Sequence, residues 1–225
     1  MDGLGDSDTA AHSQRFFKTG KGEYGEGDIF LGIRVPVLRK CAREFRETDL
    51  EDTLRLLKSP FHEARLLALF MLVAGYRKGD DGQKQAIYRA YLDNTKHINN
   101  WDLVDSSAEH IIGAHLSGRD RKPLYRLARS KSLWERRIGI MSTFCFIKQR
   151  DFADTLALSE LLLGDKEDLL HKAVGWMLRE VGNRDKEGEE SFLARHYRQM
   201  PRTMLRYAIE KFPEVERQAY LHGTK

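Results

Sequence analysis

From residue 37 onward, apolar residues recur at intervals of three and four, and no stretch alternates apolar and polar residues as a strand does. The pattern predicts helix after helix. It is interrupted at 58–60, 79–82, 98–100, 118–120, 149–151, 164–166, 182–184 and at Pro201, where Gly, Pro, Asn and Asp gather. Most of these breaks are a few residues long, which makes consecutive helices antiparallel neighbours.

The helices pair, and the pairs repeat. Ala68, Ala108, Gly139 and Gly175 each fall seven residues after a helix start, at Phe61, Trp101, Ser132 and Asp168, and successive members are 40, 31 and 36 residues apart. That period is the one expected of two-helix HEAT-like repeats, which stack into a curved solenoid with a concave face. A small residue at a fixed place lets stacked helices approach closely. The expected class is therefore all-α, a helical-repeat superhelix.

Before this array, residues 1–14 are small, polar and acidic and read as a flexible arm. Residues 15–28 carry Gly20, Gly22, Gly25 and Gly27 and read as a loop containing Lys18 and Tyr24. The loop lacks the spacing of a nucleotide-binding fingerprint. Pro36 suits the first turn of a new helix. Residues 15–225 are expected to form a single repeat domain.

Composition narrows the picture modestly. A hydrophobic share of 41% supports a core, and 32% charged residues fit a helix-rich protein. No window has the length and apolarity of a membrane span, and no basic-then-apolar leader opens the chain. A net charge of +4 and a pI near 9.0 permit nucleic acid as a partner without establishing it. Cys41 and Cys145 sit far apart in apolar settings and read as buried free thiols of a reducing compartment, so the expected location is the cytoplasm.

The stretch that departs most from plain scaffold is 99–108, NNWDLVDSSA. Asn100 reads as an N-cap, and Asp102 lies near the positive end of the helix dipole. Trp101 and Asp105, four apart, are expected to share a face. Three residues before each small residue stand Arg65, Asp105, Arg136 and Lys172, so Asp105 is the acid in an otherwise basic column. Arg137 adds a charge where two other repeats are apolar, and Trp176 an aromatic where others are aliphatic or acidic. Departures from a repeat's own pattern are where function is expected.

If successive helices line one wall, Trp101, Asp105, Arg137 and Trp176 converge. Arg136, Lys148, Lys172 and Arg179 then extend a positive surface suited to a phosphate backbone. Such a cleft fits cleavage of an N-glycosidic bond, in which the sugar becomes oxocarbenium-like. A fixed carboxylate stabilises that charge and orients a water, and aromatic faces attract a cation. A base already cationic through alkylation leaves neutral, so one carboxylate suffices. The eight His and two Cys show no metal-ligand spacing, and no Gly-x-Ser-x-Gly turn marks a nucleophile. Neither metal nor cofactor is expected.

At these residues the sequence resembles the AlkD-like DNA alkylation repair family of HEAT-like-repeat glycosylases. The matching pieces are EYGEGDIFLGIRVP (23–36), NNWDLVD (99–105), LWERRIGIMSTF (133–144), HKAVGWMLREVG (171–182) and MPRTMLRYAIEKFP (200–213). The resemblance implies that Asp105 is the catalytic carboxylate, that Trp101 and Trp176 cradle the lesion's backbone, and that Arg137 contacts that backbone. It makes Tyr24, with Lys18 nearby, part of the DNA-facing set. It implies excision of cationic N3- or N7-alkylated purines, such as 3-methyladenine and 7-methylguanine, from double-stranded DNA, and a solenoid with a DNA groove is expected to work as a monomer. The family has a further N-terminal helix, from which the short, Gly- and Asp-rich residues 1–14 depart. Two other readings remain open: a non-catalytic nucleic-acid-binding solenoid, which needs neither Asp105 nor both tryptophans, and a protein-interaction scaffold, which predicts no affinity for duplex DNA.

Overall fold

The structure, a computed structural model, describes residues 3–225. Its contacts divide the chain into two units, residues 1–111 and 112–225. Each is built from helices, and among the described residues the sole strand-like pairing is an isolated parallel bridge between Ile29 and Phe61. The chain is an all-α helical-repeat protein, as the three-and-four periodicity predicts.

The first unit holds α1 (Ser7–Phe16), α2 (Val35–Glu44), α3 (Leu50–Leu57), α4 (His62–Lys78), α5 (Asp81–Asp93) and α6 (Trp101–Asp105). The centre is α4, which buries residues on all sides and touches α2, α3, α5 and α6. A helix without a polar face belongs inside. The starts follow local chemistry. Pro36 sits in the first turn of α2, and Asp49 caps α3 by accepting the Asp52 N–H at 2.8 Å. Asp80 and Gln83 form a reciprocal capping box on α5.

One N-terminal expectation is corrected. The arm foreseen at residues 1–14 is largely helical, although residues 1–2 lie outside the described part. Asp6 caps α1 by accepting the Thr9 N–H at 2.8 Å, and its own N–H donates to the Leu31 carbonyl at 3.1 Å. Gly32 lies at φ +77°, and a Cβ there would stand 2.0 Å from the Asp6 carbonyl oxygen. The seat for α1 is thus a glycine in the next loop. That loop is pinned by buried Glu63, whose carboxylate accepts the N–H groups of Leu31, Gly32 and Ile33 at 2.9, 2.8 and 3.2 Å. Composition alone does not register a helix that buries no residue of its own and stands on a cap and a tertiary seat.

The second unit holds α7 (Ala114–Leu116), α8 (Lys122–Ala128), α9 (Leu133–Ser142), α10 (Phe144–Lys148), α11 (Ala153–Leu161), α12 (Asp168–Gly182), α13 (Lys186–His196), α14 (Arg202–Ala208) and α15 (Glu214–His222). Here the small-residue column does what the repeat pattern predicts. A Cβ on Gly175 of α12 would stand 2.4 Å from the Met204 carbonyl oxygen and 2.5 Å from the Tyr207 Cβ, both on α14. Gly175→Ala is expected to lower unfolding stability by about 1–3 kcal/mol, the usual cost of overpacking. A urea titration checks this; an unchanged midpoint would mean that α14 yields freely.

Glu189 of α13 is 1% exposed, and its Oε1 has no hydrogen-bond partner. Burial, with help from Glu190 and against Lys186 and Arg179, pushes its carboxyl up to about 9. Folding therefore takes up a proton at neutral pH, and the penalty grows as pH rises from about 4.5 through about 9. Glu189→Gln is expected to stabilise the protein at pH 8 by on the order of 2 kcal/mol and to change little at pH 4. Thermal melts at the two pH values read this directly, and equal gains at both would contradict it. Cys41 and Cys145 are half-buried, more open than their apolar settings suggested.

Candidate active site

The short helix α6 carries Trp101 and Asp105, and a buried charge network fixes its start. Asn100, in extended backbone, caps it by accepting the Trp101 N–H at 2.8 Å, and its Nδ2 donates to Asp28 at 3.2 Å. Asp102 accepts the Leu103 N–H at 2.9 Å through Oδ1, while its Oδ2 lies 2.8 Å from His62 Nε2. The other ring nitrogen of His62, Nδ1, lies 2.9 Å from Asp28 Oδ2, and Arg65 donates to Asp28 Oδ1 at 2.5 Å. Both imidazole nitrogens face carboxylate oxygens, so both carry protons and the ring is an imidazolium. Burial opposes that charge, but the bonds to Asp102 and Asp28 outweigh it and raise the His62 pKa to about 9. Burial likewise opposes ionised Asp28, and the His62 bond and Arg65 charge still hold its carboxyl below the usual range. Two carboxylates against an imidazolium and a guanidinium leave the cluster neutral, which is how Asp28, His62 and Arg65 stay buried beside half-buried Asp102.

Trp101 closes one side of this region. Its ring stacks on Phe17 with centroids 5.1 Å apart and meets Phe16 edge-on at 6.0 Å. Phe17 stacks in turn on Phe30 at 5.0 Å, and Phe30 on His62 at 4.4 Å. Tyr24 is half-buried and its hydroxyl donates to the Phe16 carbonyl at 3.4 Å, so it ties the Gly-rich loop to α1. Lys18 is exposed in a left-handed turn at φ 50° directly after this aromatic pair.

Asp105 looks elsewhere. The helix stops at this residue, turns through Ser106 and Ser107 and continues as a π-helical segment, Glu109–Gly113, in place of the unbroken helix expected from the sequence. Such segments concentrate where a side chain must be re-aimed. Ser107 sits behind the turn, bonded to buried Tyr91 at 2.9 Å and donating to the Leu103 carbonyl at 2.6 Å. Asp105 is half-buried and lines an open cleft of about 570 Å³. The same cleft is lined by Arg39, Arg43 and Arg46 of α2 and the loop after it, and by Arg77 and Lys78 at the end of α4. All five are exposed cations. Arg39 lies over the Phe70 ring at 4.3 Å, and Arg77 reaches His110 Nδ1 at 3.3 Å. A carboxylate at the carbonyl end of a helix is unfavourable by itself, and Asp105 shares its cleft with these cations.

The remaining expected residues belong to the second unit. Arg137 is buried and donates to the Leu169 carbonyl. Arg136 is half-buried, pairs with Asp165 at 2.6 Å, and donates to the carbonyls of Ser130 and Lys131. Arg65 does the same in the first unit, with Asp28 and the carbonyls of Ser59 and Pro60. At Arg65 and Arg136 the basic column of the repeat is thus a brace for the loop that precedes the helix. Trp176 is half-buried; its indole N–H donates to Glu180 at 3.3 Å and its ring lies 6.1 Å from that of Phe144. Lys148 is exposed and stands over Phe144 at 4.3 Å. Lys172 pairs with Asp168 at 2.8 Å, and Arg179 with Glu210. Among the described residues no group of three or more His, Cys, Asp or Glu side chains is placed to hold a metal ion, and no helix is long and apolar enough to cross a membrane.

Residues 1–212 match the family model for DNA alkylation repair enzymes. The chain belongs to that family. Its fold is similar to a solved structure named as a predicted DNA alkylation repair enzyme from Enterococcus faecalis, with a TM-score of 0.71 and 14% identity, covering 94% of this chain and 98% of that one. No curated protein matches the sequence. Membership of this repair family makes DNA the expected partner and turns attention to residues that sequence reasoning passed over. Arg39, Arg43 and Arg46 have a spacing of four and three that marks one helical face, a signal available in the sequence but easily taken for ordinary solvated surface. The contacts of His62 with Asp28 and with Asp102 have no such signal, because the partners lie 34 and 40 positions apart.

Proposed function

We propose that this DNA alkylation repair protein is a glycosylase that releases cationic N3- and N7-alkylated purines, 3-methyladenine and 7-methylguanine among them, from double-stranded DNA. The observation that carries the reading is the position of Asp105, a carboxylate on the wall of an open cleft whose neighbours are five exposed cations. The cations hold phosphates on either side of a damaged nucleotide. The carboxylate faces the sugar between them.

Alkylation at N3 or N7 puts positive charge on the purine. When the C1′–N bond breaks, the bonding electrons neutralise the leaving base and positive charge passes to the sugar. Asp105 stabilises that developing charge and orients a water, whose oxygen bonds to C1′ while its proton leaves by way of the carboxylate. No general acid is needed, and the reaction as written calls for DNA and water alone. Trp101, held by the Phe17 stack, offers an indole edge beside α6. Trp176 is assigned as the second aromatic contact and Arg137 as a backbone contact on the family resemblance, with Tyr24, Lys18, Arg136, Lys148, Lys172 and Arg179 as outer contacts. In this reading the protein works as a monomer.

The test is direct. Methylated duplex DNA is incubated with the protein and the freed bases are separated by chromatography. Release of 7-methylguanine and 3-methyladenine above the spontaneous rate is expected. Tight binding of the same duplex with no release above that rate would assign the protein to non-catalytic damage recognition.

A further inference from the structure

A second concavity of the first unit, about 290 Å³, shares no lining residue with the Asp105 cleft. Lys58 at the end of α3 faces Lys96 and His97 of the turn Thr95–His97, with Arg65 in the wall between them. Among the described residues neither lysine forms an ion pair. The two carboxylates nearby are engaged. Asp28 serves His62, Arg65 and Asn100, and Glu26 accepts the Gly22 N–H at 2.8 Å. His97 is held below its ordinary pKa by burial and by the charges of Lys96, Arg65 and Lys58. Asp28 offsets Arg65 and Glu26 offsets one of the two lysines, so the lining keeps an excess of positive charge around an open space, a field that favours an anion.

We propose that this concavity binds a phosphoryl oxyanion, with Lys58 and Lys96 as its ammonium donors and His97 as a third donor once protonated. Lysines act as mobile point charges toward phosphate, which suits two chain ends converging from different elements. The oxyanion has two sources, the backbone of a nucleic acid or a free phosphate group. The site stands apart from the glycosylase reading, since none of its residues belongs to the Asp105 cleft.

The experiment follows the imidazole resonances of His97 by NMR in the full-length protein, assigned by their loss in His97→Gln. Its pKa is measured in sodium chloride, in inorganic phosphate at matched ionic strength, and with a short undamaged duplex. Bound phosphate places negative charge beside the ring, so the pKa is expected to rise by about one unit, the scale of a neighbouring charge. In Lys58→Gln/Lys96→Gln, two exposed positions that leave the core untouched, that rise is expected to vanish. A rise with duplex identifies the backbone as the source, and a rise with phosphate alone identifies a free phosphate group. If neither ligand moves the His97 pKa above its value in sodium chloride, or if the double variant responds as the parent does, the site is refuted.

Discussion

Asp105→Asn is expected to bind duplex DNA at least as tightly as the parent protein and to release alkylated base about a hundredfold more slowly, the usual cost of removing one preorganised group that faces transition-state charge. The two halves of this result have one origin. In the ground state Asp105 sits among Arg39, Arg43, Arg46, Arg77 and Lys78 and repels the phosphates that those cations attract. Neutralising it removes a repulsion, so affinity holds or rises, most visibly at low salt. In the transition state the sugar is positive and the same carboxylate is the nearest group able to stabilise it. Single-turnover base release with saturating protein separates the two, because binding then drops out of the rate. Equal release rates for parent and variant would remove Asp105 from the chemistry, whatever the binding shows.

That Asp105 was legible in the sequence and its surroundings were not has a physical basis. The acid stood out because the repeat supplies its own comparison. Arg65 and Arg136 occupy the same register position, and both brace the loop ahead of their helix with one Asp and two backbone carbonyls. A carboxylate in that column cannot brace a loop in this way, so its presence signals another duty. Helices were legible for the same reason, since period and caps are local properties. The roles of Arg136 and Arg137 were less so. They are adjacent, and a step of one residue turns a helix by about 100°; Arg136 joins the brace and Arg137 enters the interior. The helix α1 shows the opposite failure. It was hidden because its stability comes from the Asp6 cap and from Gly32, a residue in a different segment.

The interior support of α6 leads to the second large effect. His62→Ala is expected to destabilise the protein by about 3–5 kcal/mol near pH 6, the scale of breaking a buried ion cluster by removing one partner. Without the imidazolium, Asp28 and Asp102 face Arg65 with one positive charge too few, and Asp102 loses the contact that ties the first turn of α6 to α4. The pH dependence gives the mechanism away. The folded pKa of His62 lies near 9 against an ordinary 6.5, so its contribution is complete below about 6.5 and is lost as pH rises through about 9. The parent protein therefore approaches the variant on the alkaline side, and the stability gap measured by denaturant titration narrows between pH 6 and pH 10. A cavity left by a merely space-filling ring costs the same at both values, so a constant gap would show that packing, and not charge, is what His62 provides. Because the network sets where α6 begins, and Asp105 is the last residue of that helix, the same substitution is expected to slow base release under conditions where the variant is still folded. His62 acts there as a positioning residue: it touches neither cleft nor sugar, and its influence reaches Asp105 only through the first turn that it fastens.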